Sequence, residues 1–256
     1  MSKSNHEAGP KAGVVLVAHG ERGGAFSNAI LMKHAGAVSE RLGSIAVAAG
    51  VLSGTPTLEE ALAEVERQTS GPVFVFPFFM AAGFFVNVKV PKRIAEAGLA
   101  DRCCVLTPLG SAEQLPAVIA GRARAQAEEI GKQASACRLL LVGHGSKVAR
   151  ASAEATEMVA ACLREMSGFG NVATAFLEEA PFLEDVVTAD DRPTVVVGFF
   201  NGDGLHAAED VPEALGRFDG TIAYTGPVGA FDEVSTLIAE AIAKAVDEVD
   251  VADASV

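Results

Sequence analysis

The chain has 256 residues and half of them are apolar, which is enough for one large core or two small ones. Only 6% are aromatic, with no Trp and one Tyr, so the apolar residues are mainly aliphatic and favour an α/β fold. The formal net charge of −13 argues against a nucleic-acid-binding protein, which must neutralise phosphates, and against binding to an anionic membrane surface.

Cysteine usage and hydropathy indicate the compartment. The cysteines show no CxxC or metal-ligand spacing, which predicts reduced thiols and neither disulfides nor a zinc or iron–sulfur site. Residues 1–11 are polar and lack the apolar segment of a signal peptide, so we expect a flexible leader. No run of about 18 apolar residues is present, which predicts a cytoplasmic protein that does not span a membrane.

Short apolar runs alternate with amphipathic segments along the whole chain. In the first half this pattern predicts strands over 14–18, 45–51, 73–79 and 103–106, and helices over 26–42, 58–68, 90–97 and 115–130. In the second half it predicts strands over 139–142, 172–176, 194–199 and 221–224, and helices over 151–166, 181–189, 211–218 and 234–249. Continuous apolar strands between helices indicate parallel sheets covered on both faces.

The two halves repeat one another. Gly-Val-Val-Leu-Val-Ala-His-Gly at 13–20 matches Arg-Leu-Leu-Leu-Val-Gly-His-Gly at 138–145, and further matches follow downstream. We therefore predict two tandem α/β/α domains related by internal duplication, each with a mainly four-stranded parallel sheet. The domains are expected over 12–130 and 137–250, joined by a polar segment.

Three polar side chains of the second half follow consecutive predicted strands. His144 follows the first strand, Glu178 the second, and His206 the third, across a Gly-rich loop. Ligands of open parallel sheets bind beyond the carboxyl ends of the strands, so these residues converge if the three strands are neighbours. Two imidazoles and a carboxylate suit a divalent transition metal. Capping or a solvated position is the ordinary alternative for each residue.

The first half lacks this set. His19 matches His144, but Ser53 stands at the position of Glu178 and Phe85 at the position of His206. We therefore expect the metal site in the second half and a degenerate site in the first.

Three motifs of the second half, in order, resemble the class II tetrapyrrole metal chelatases, in the long, duplicated form of the CbiX/SirB-like sirohydrochlorin chelatases. They are Val-Gly-His-Gly ending at Gly145, Ala-Phe-Leu-Glu ending at Glu178, and Gly-Leu-His followed by Asp-Val-Pro ending at Pro212. The resemblance implies a lyase that inserts a divalent metal substrate, Co²⁺ or Fe²⁺ and also Ni²⁺, into a tetrapyrrole. It implies that neither ATP nor an organic cofactor takes part. It also implies that the reaction belongs to cobalamin or siroheme biosynthesis.

The resemblance also implies residue roles. His144 and His206 would bind the metal and accept pyrrole protons, and Glu178 would complete the metal site or relay protons. The chain would be a monomer (a pseudo-dimer by duplication) or a weak homo-oligomer. Because sirohydrochlorin is a polycarboxylate and the chain is acidic, binding needs a local cationic patch. The candidates are Arg22, Lys89, Lys147 and Arg150, with Lys92 and Arg93 beside them. Phe84 and Phe85, if partly exposed, would suit a flat hydrophobic ligand.

Two other functions fit parts of the pattern. A catalytically inactive tetrapyrrole- or metal-binding protein of the same fold would explain the degenerate first half. A phosphoryl-transfer enzyme with His19 or His144 as nucleophile is disfavoured, because such enzymes hold phosphate with an Arg before the His. Here Ala18 and Gly143 stand there.

Overall fold

The computed structural model describes residues 10–21, 28–146, 150–188, 191–202 and 209–253. The strands are β1 (Gly13–Ala18), β2 (Ala46–Val51), β3 (Val73–Pro77), β4 (Cys103–Val105), β5 (Arg138–Gly143), β6 (Asn171–Phe176), β7 (Thr194–Gly198) and β8 (Ile222–Pro227). The α-helices are α1 (Ala29–Leu42), α2 (Leu58–Gln68), α3 (Val90–Glu96), α4 (Leu115–Glu129), α5 (Ala151–Met166), α6 (Leu183–Val187), α7 (Val211–Leu215) and α8 (Glu233–Asp253).

The described strands form two four-stranded parallel sheets with the same strand order. The first sheet runs β2-β1-β3-β4 and the second runs β6-β5-β7-β8. All six residues of β1 and all six of β5 are buried, because each strand lies inside its sheet and is covered on both faces. The predicted α/β fold class, with a four-stranded parallel sheet in each half of the chain, is confirmed.

Small differences from the predicted elements have local causes. The helix predicted over 211–218 ends at Leu215, before Gly216, a residue type that weakens helices. A π-helical turn, Phe85–Lys89, precedes α3. The apolar period of an α-helix does not reveal such a turn, since its hydrogen bonds span five residues. The predicted start of α1 lies outside the described residues.

The described residues pack as two compact units, and each unit contains the last helix of the other repeat. The first unit holds the first sheet, α1 to α3, and α8 from Ser235 onward. Within it, Oγ of Ser235 lies 2.7 Å from Nδ1 of His34, a buried side chain on α1. The second unit holds the second sheet and α4 to α7, with α4 packed on β7 and β8. It also contains the segment Phe78–Asn87.

The units therefore do not follow the sequence boundaries of the repeats. Residues 12–130 and 137–250 remain our prediction for the two domains, whereas the compact units are defined by which elements pack together. The predicted leader, residues 1–11, lies almost entirely outside the described residues.

Candidate functional site

The carboxyl ends of three adjacent strands define the candidate site in the second unit. Because β5 pairs with β6 on one side and with β7 on the other, the residues that follow these strands begin next to each other. His144 follows β5 and Glu178 follows β6. The chain after β7 leads through Asn201 to His206, which lies outside the described residues. The neighbouring strands that the prediction required are thus present.

His144 is half-buried, and its ring makes a hydrogen bond with the next residue. Nδ1 lies 2.9 Å from the carbonyl oxygen of Gly145. A carbonyl oxygen only accepts, so in the neutral ring we assign the proton to Nδ1, which leaves the lone pair on Nε2. A neutral imidazole with its lone pair on Nε2 can ligate a metal or accept a proton.

Glu178 is exposed and lies beside His144 through the backbone. Its N–H donates to the carbonyl oxygen of His144 at 3.0 Å, which continues the pairing of β5 and β6 beyond the strands. The described part of the chain contains no cluster of three His, Cys, Asp or Glu arranged to hold a metal. The third predicted ligand, His206, falls in the undescribed range 203–208.

Glu179 is a site residue that the sequence prediction did not include. Its Oε1 accepts the backbone N–H of Ser146 at 2.9 Å, across the turn that follows His144. Gly145 in that turn has φ +71, and a Cβ there would lie 2.9 Å from Cγ of Glu179. Glu179 thus holds the loop that carries His144. The pair of adjacent glutamates was visible in the sequence, but only the structure shows which one binds the loop.

The first unit has the same backbone hydrogen bond after its strands, but no carboxylate at the position of Glu178. His19 is exposed, with Nδ1 3.3 Å from the carbonyl oxygen of Gly20. The N–H of Ser53 donates to the carbonyl oxygen of His19 at 2.8 Å, as Glu178 does to His144. Ser53 therefore occupies the backbone position of Glu178, but it brings a hydroxyl instead of a carboxylate.

The predicted cationic residues have different surroundings. Arg22 and Lys147 lie outside the described residues. Lys89 is half-buried at the end of the π-helical turn. Arg150 is exposed, with Nε 3.7 Å from Glu154. Lys92 is also exposed, with Nζ 3.7 Å from Oε1 of Glu96, so it is engaged on its own helix. The cationic patch stays a prediction.

Arg93 has a structural role instead. Its Nε donates to Oε1 of Glu59 at 2.5 Å, and its Nη1 donates to the carbonyl oxygen of Leu52 at 2.8 Å. Burial, the largest single effect, raises the pKa of Glu59, but the hydrogen bond and charge of Arg93 together with a backbone hydrogen bond outweigh it, so the pKa is lowered overall. Arg93 thus joins α3 to α2 and to the residue after β2.

Phe85 belongs to an aromatic group in the second unit. Its ring stacks on that of Phe79, with the centroids 6.3 Å apart, and meets the ring of Phe84 edge-on at 5.9 Å. Phe85 itself is half-buried and Phe84 is exposed.

None of the helices in the described part of the chain has the length and apolar character needed to span a bilayer.

Comparisons with known proteins agree on one family. The family model described as CbiX matches residues 13–126 and again residues 138–245. A "Probable sirohydrochlorin cobaltochelatase" of Halobacterium salinarum is 28% identical over 225 residues, which cover 78% of this chain and 75% of the relative.

Solved structures show the same architecture. A structure described as CbiX, "the terminal Enzyme for Biosynthesis of Siroheme in Denitrifying Bacteria", is 29% identical with a TM-score of 0.77. The match covers 91% of this chain and 99% of that one. SirB from Bacillus subtilis with Fe³⁺ also has a TM-score of 0.77, over 91% of this chain and 95% of that one. At 17% identity it supports the fold alone.

Proposed function

The chain belongs to the CbiX family, and we propose that it inserts a divalent transition metal, Co²⁺ or Fe²⁺, into a sirohydrochlorin-type tetrapyrrole. One observation carries the proposal. His144 and Glu178 leave adjacent strands, joined by the 3.0 Å hydrogen bond from Glu178 N–H to His144 O, and the loop with His206 follows the third strand. The matched relatives, a probable cobaltochelatase and a siroheme-biosynthesis enzyme, support the same substrates.

The proposed reaction exchanges two protons for one metal ion. The M²⁺ substrate bonds to the four ring nitrogens, and the two pyrrole N–H protons leave the macrocycle. With the proton of the neutral His144 ring assigned to Nδ1, the Nε2 lone pair can first present the metal and then accept a pyrrole proton. His206 would take the second proton, and Glu178 would hold the metal until transfer. General acid–base catalysis of this kind is worth about 10²–10⁴-fold in rate.

Neither ATP nor an organic cofactor enters this scheme. The metal keeps its oxidation state, no group is transferred, and the new metal–nitrogen bonds replace bonds to protein and water. Imidazole and carboxylate also accept Ni²⁺, so the metal that is used depends on availability as well as on the ligands. The product would feed siroheme synthesis if the metal is iron and cobalamin synthesis if it is cobalt.

A metal-insertion assay tests the proposal. Purified protein is mixed with sirohydrochlorin and Co²⁺, Fe²⁺ or Ni²⁺ without ATP, and metallation is followed by the absorbance of the macrocycle. We expect a rate well above the spontaneous one for at least Co²⁺ or Fe²⁺. A rate equal to the spontaneous one for every metal would refute the proposal.

Glu179 should act as a positioning residue in this reaction. Replacing it with Ala removes the acceptor for Ser146 N–H, and we expect kcat to fall about tenfold, since a hydrogen bond to a charged group is worth about 1.5–3 kcal/mol. Glu179→Gln keeps an acceptor oxygen and should restore most of the rate. Steady-state kinetics of both variants would check this, and equal losses in both would contradict the positioning role.

A further inference from the structure

The segment Phe78–Asn87 comes from the first repeat but packs in the second unit. Nδ2 of Asn201, three residues after β7, donates to the carbonyl oxygen of Phe78 at 3.0 Å. At its other end, a Cβ on Gly83 would lie 3.7 Å from Cβ of Ala151, the first residue of α5. Because α5 follows the loop of His144, the segment lies beside the residues that follow both β5 and β7.

Phe84 is the exposed side chain of this segment. It is 65% exposed, so its ring presents an apolar surface that a flat ligand could cover. Phe85 supports it edge-on at 5.9 Å, and Phe85 in turn stacks on Phe79. The exposed ring therefore has aromatic support on one side, from Phe85, while most of its surface faces solvent.

We propose that Phe84 binds one face of the tetrapyrrole at the site of the second unit, an inference that rests on the proposed function. A tetrapyrrole presents two kinds of surface, carboxylates at its rim and a flat conjugated face. Cations can bind the rim, but the face needs an apolar or aromatic partner. Phe84 is an exposed ring supported by Phe85, on a segment that lies beside residues following β5 and β7.

Another exposed apolar side chain of the same unit provides a matched control. Met158 on α5 is 66% exposed, but it lies about two helical turns beyond Ala151, away from the strand ends. If any exposed apolar side chain could bind the macrocycle, Met158 and Phe84 would contribute equally to its affinity.

The experiment compares Phe84→Ala, Phe84→Tyr and Met158→Ala in the full chain. Affinity for metal-free sirohydrochlorin is measured by fluorescence titration, and kcat and KM are measured with Co²⁺. For Phe84→Ala we expect macrocycle affinity to fall about five- to tenfold and KM to rise by the same factor, since an aromatic pair is worth about 0.5–1.5 kcal/mol. Its kcat and its affinity for Co²⁺ should stay within twofold. Phe84→Tyr and Met158→Ala should both match the wild type.

The outcomes separate the two proposals. If the wild type metallates sirohydrochlorin and Phe84→Ala binds the macrocycle as tightly as the wild type does, the assignment of Phe84 is overturned and the chelatase proposal stands. If the wild type binds the macrocycle through Phe84 but metallates nothing, the contact stands and the chelatase proposal is overturned. A wild type that neither binds nor metallates overturns both.

Discussion

Replacing His144 with alanine should lower the rate of metal insertion by about 100-fold or more. The substitution removes the Nε2 lone pair that presents the metal and accepts a pyrrole proton, and such catalysis is worth about 10²–10⁴-fold. His206→Ala should cause a loss of similar size. Initial rates with Co²⁺ and sirohydrochlorin measure both effects.

His19→Ala is the matched control for these variants. His19 has the same backbone setting, with Nδ1 near the carbonyl oxygen of the following glycine, but Ser53 stands where the second unit has Glu178. We expect a loss of less than about tenfold in rate, well below the loss for His144→Ala. Equal losses for His19→Ala and His144→Ala would contradict the assignment of the site to the second unit.

The second large effect concerns α4 and α8, because each of these helices packs in the unit that holds the sheet of the other repeat. Ile242 of α8 and Ile119 of α4 are both fully buried, and alanine at either position should cost about 2–5 kcal/mol of stability. Because α8 packs in the first unit, Ile242→Ala should raise amide hydrogen exchange in β1 to β4. Because α4 packs in the second, Ile119→Ala should raise exchange in β5 to β8. Hydrogen exchange resolved by peptide would detect both effects.

Each variant is the control for the other. The predicted pattern is crossed, since each substitution loosens the sheet of the opposite repeat. If Ile242→Ala loosened the second sheet and Ile119→Ala the first, the exchange of helices would be refuted.

The layered fold was predictable because each layer leaves a local signal. All six residues of β5 are buried, and the repeat of its apolar run in β1 indicated the duplication. The exchange of α4 and α8 leaves no such signal. An amphipathic helix shows that one face is buried, but its period does not say which sheet covers that face. The hydrogen bond between His34 and Ser235 joins residues about 200 positions apart.

Part of the candidate site was also predictable, because two of its residues follow strands that leave a clear apolar signal in the sequence. His144 and Glu178 follow apolar runs, and the rule that parallel strands end at one edge brings them together. Glu179 was not assigned because its role depends on the turn at Gly145, where φ is positive and the carboxylate reaches Ser146 N–H. Arg93 was a candidate for substrate binding because a sequence shows its charge but not its partner Glu59.

A chelatase differs from an inactive binding protein of the same fold in one measurable property, which is turnover. The direct test is to supply sirohydrochlorin with Co²⁺, and separately with Fe²⁺, in excess over the protein and to count the metallated product per chain. The proposed function predicts that with at least one of the two metals product rises steadily past one equivalent per chain, at a rate above the spontaneous reaction. Product that stops at one equivalent per chain with both metals would contradict it and identify a binding protein of the same fold.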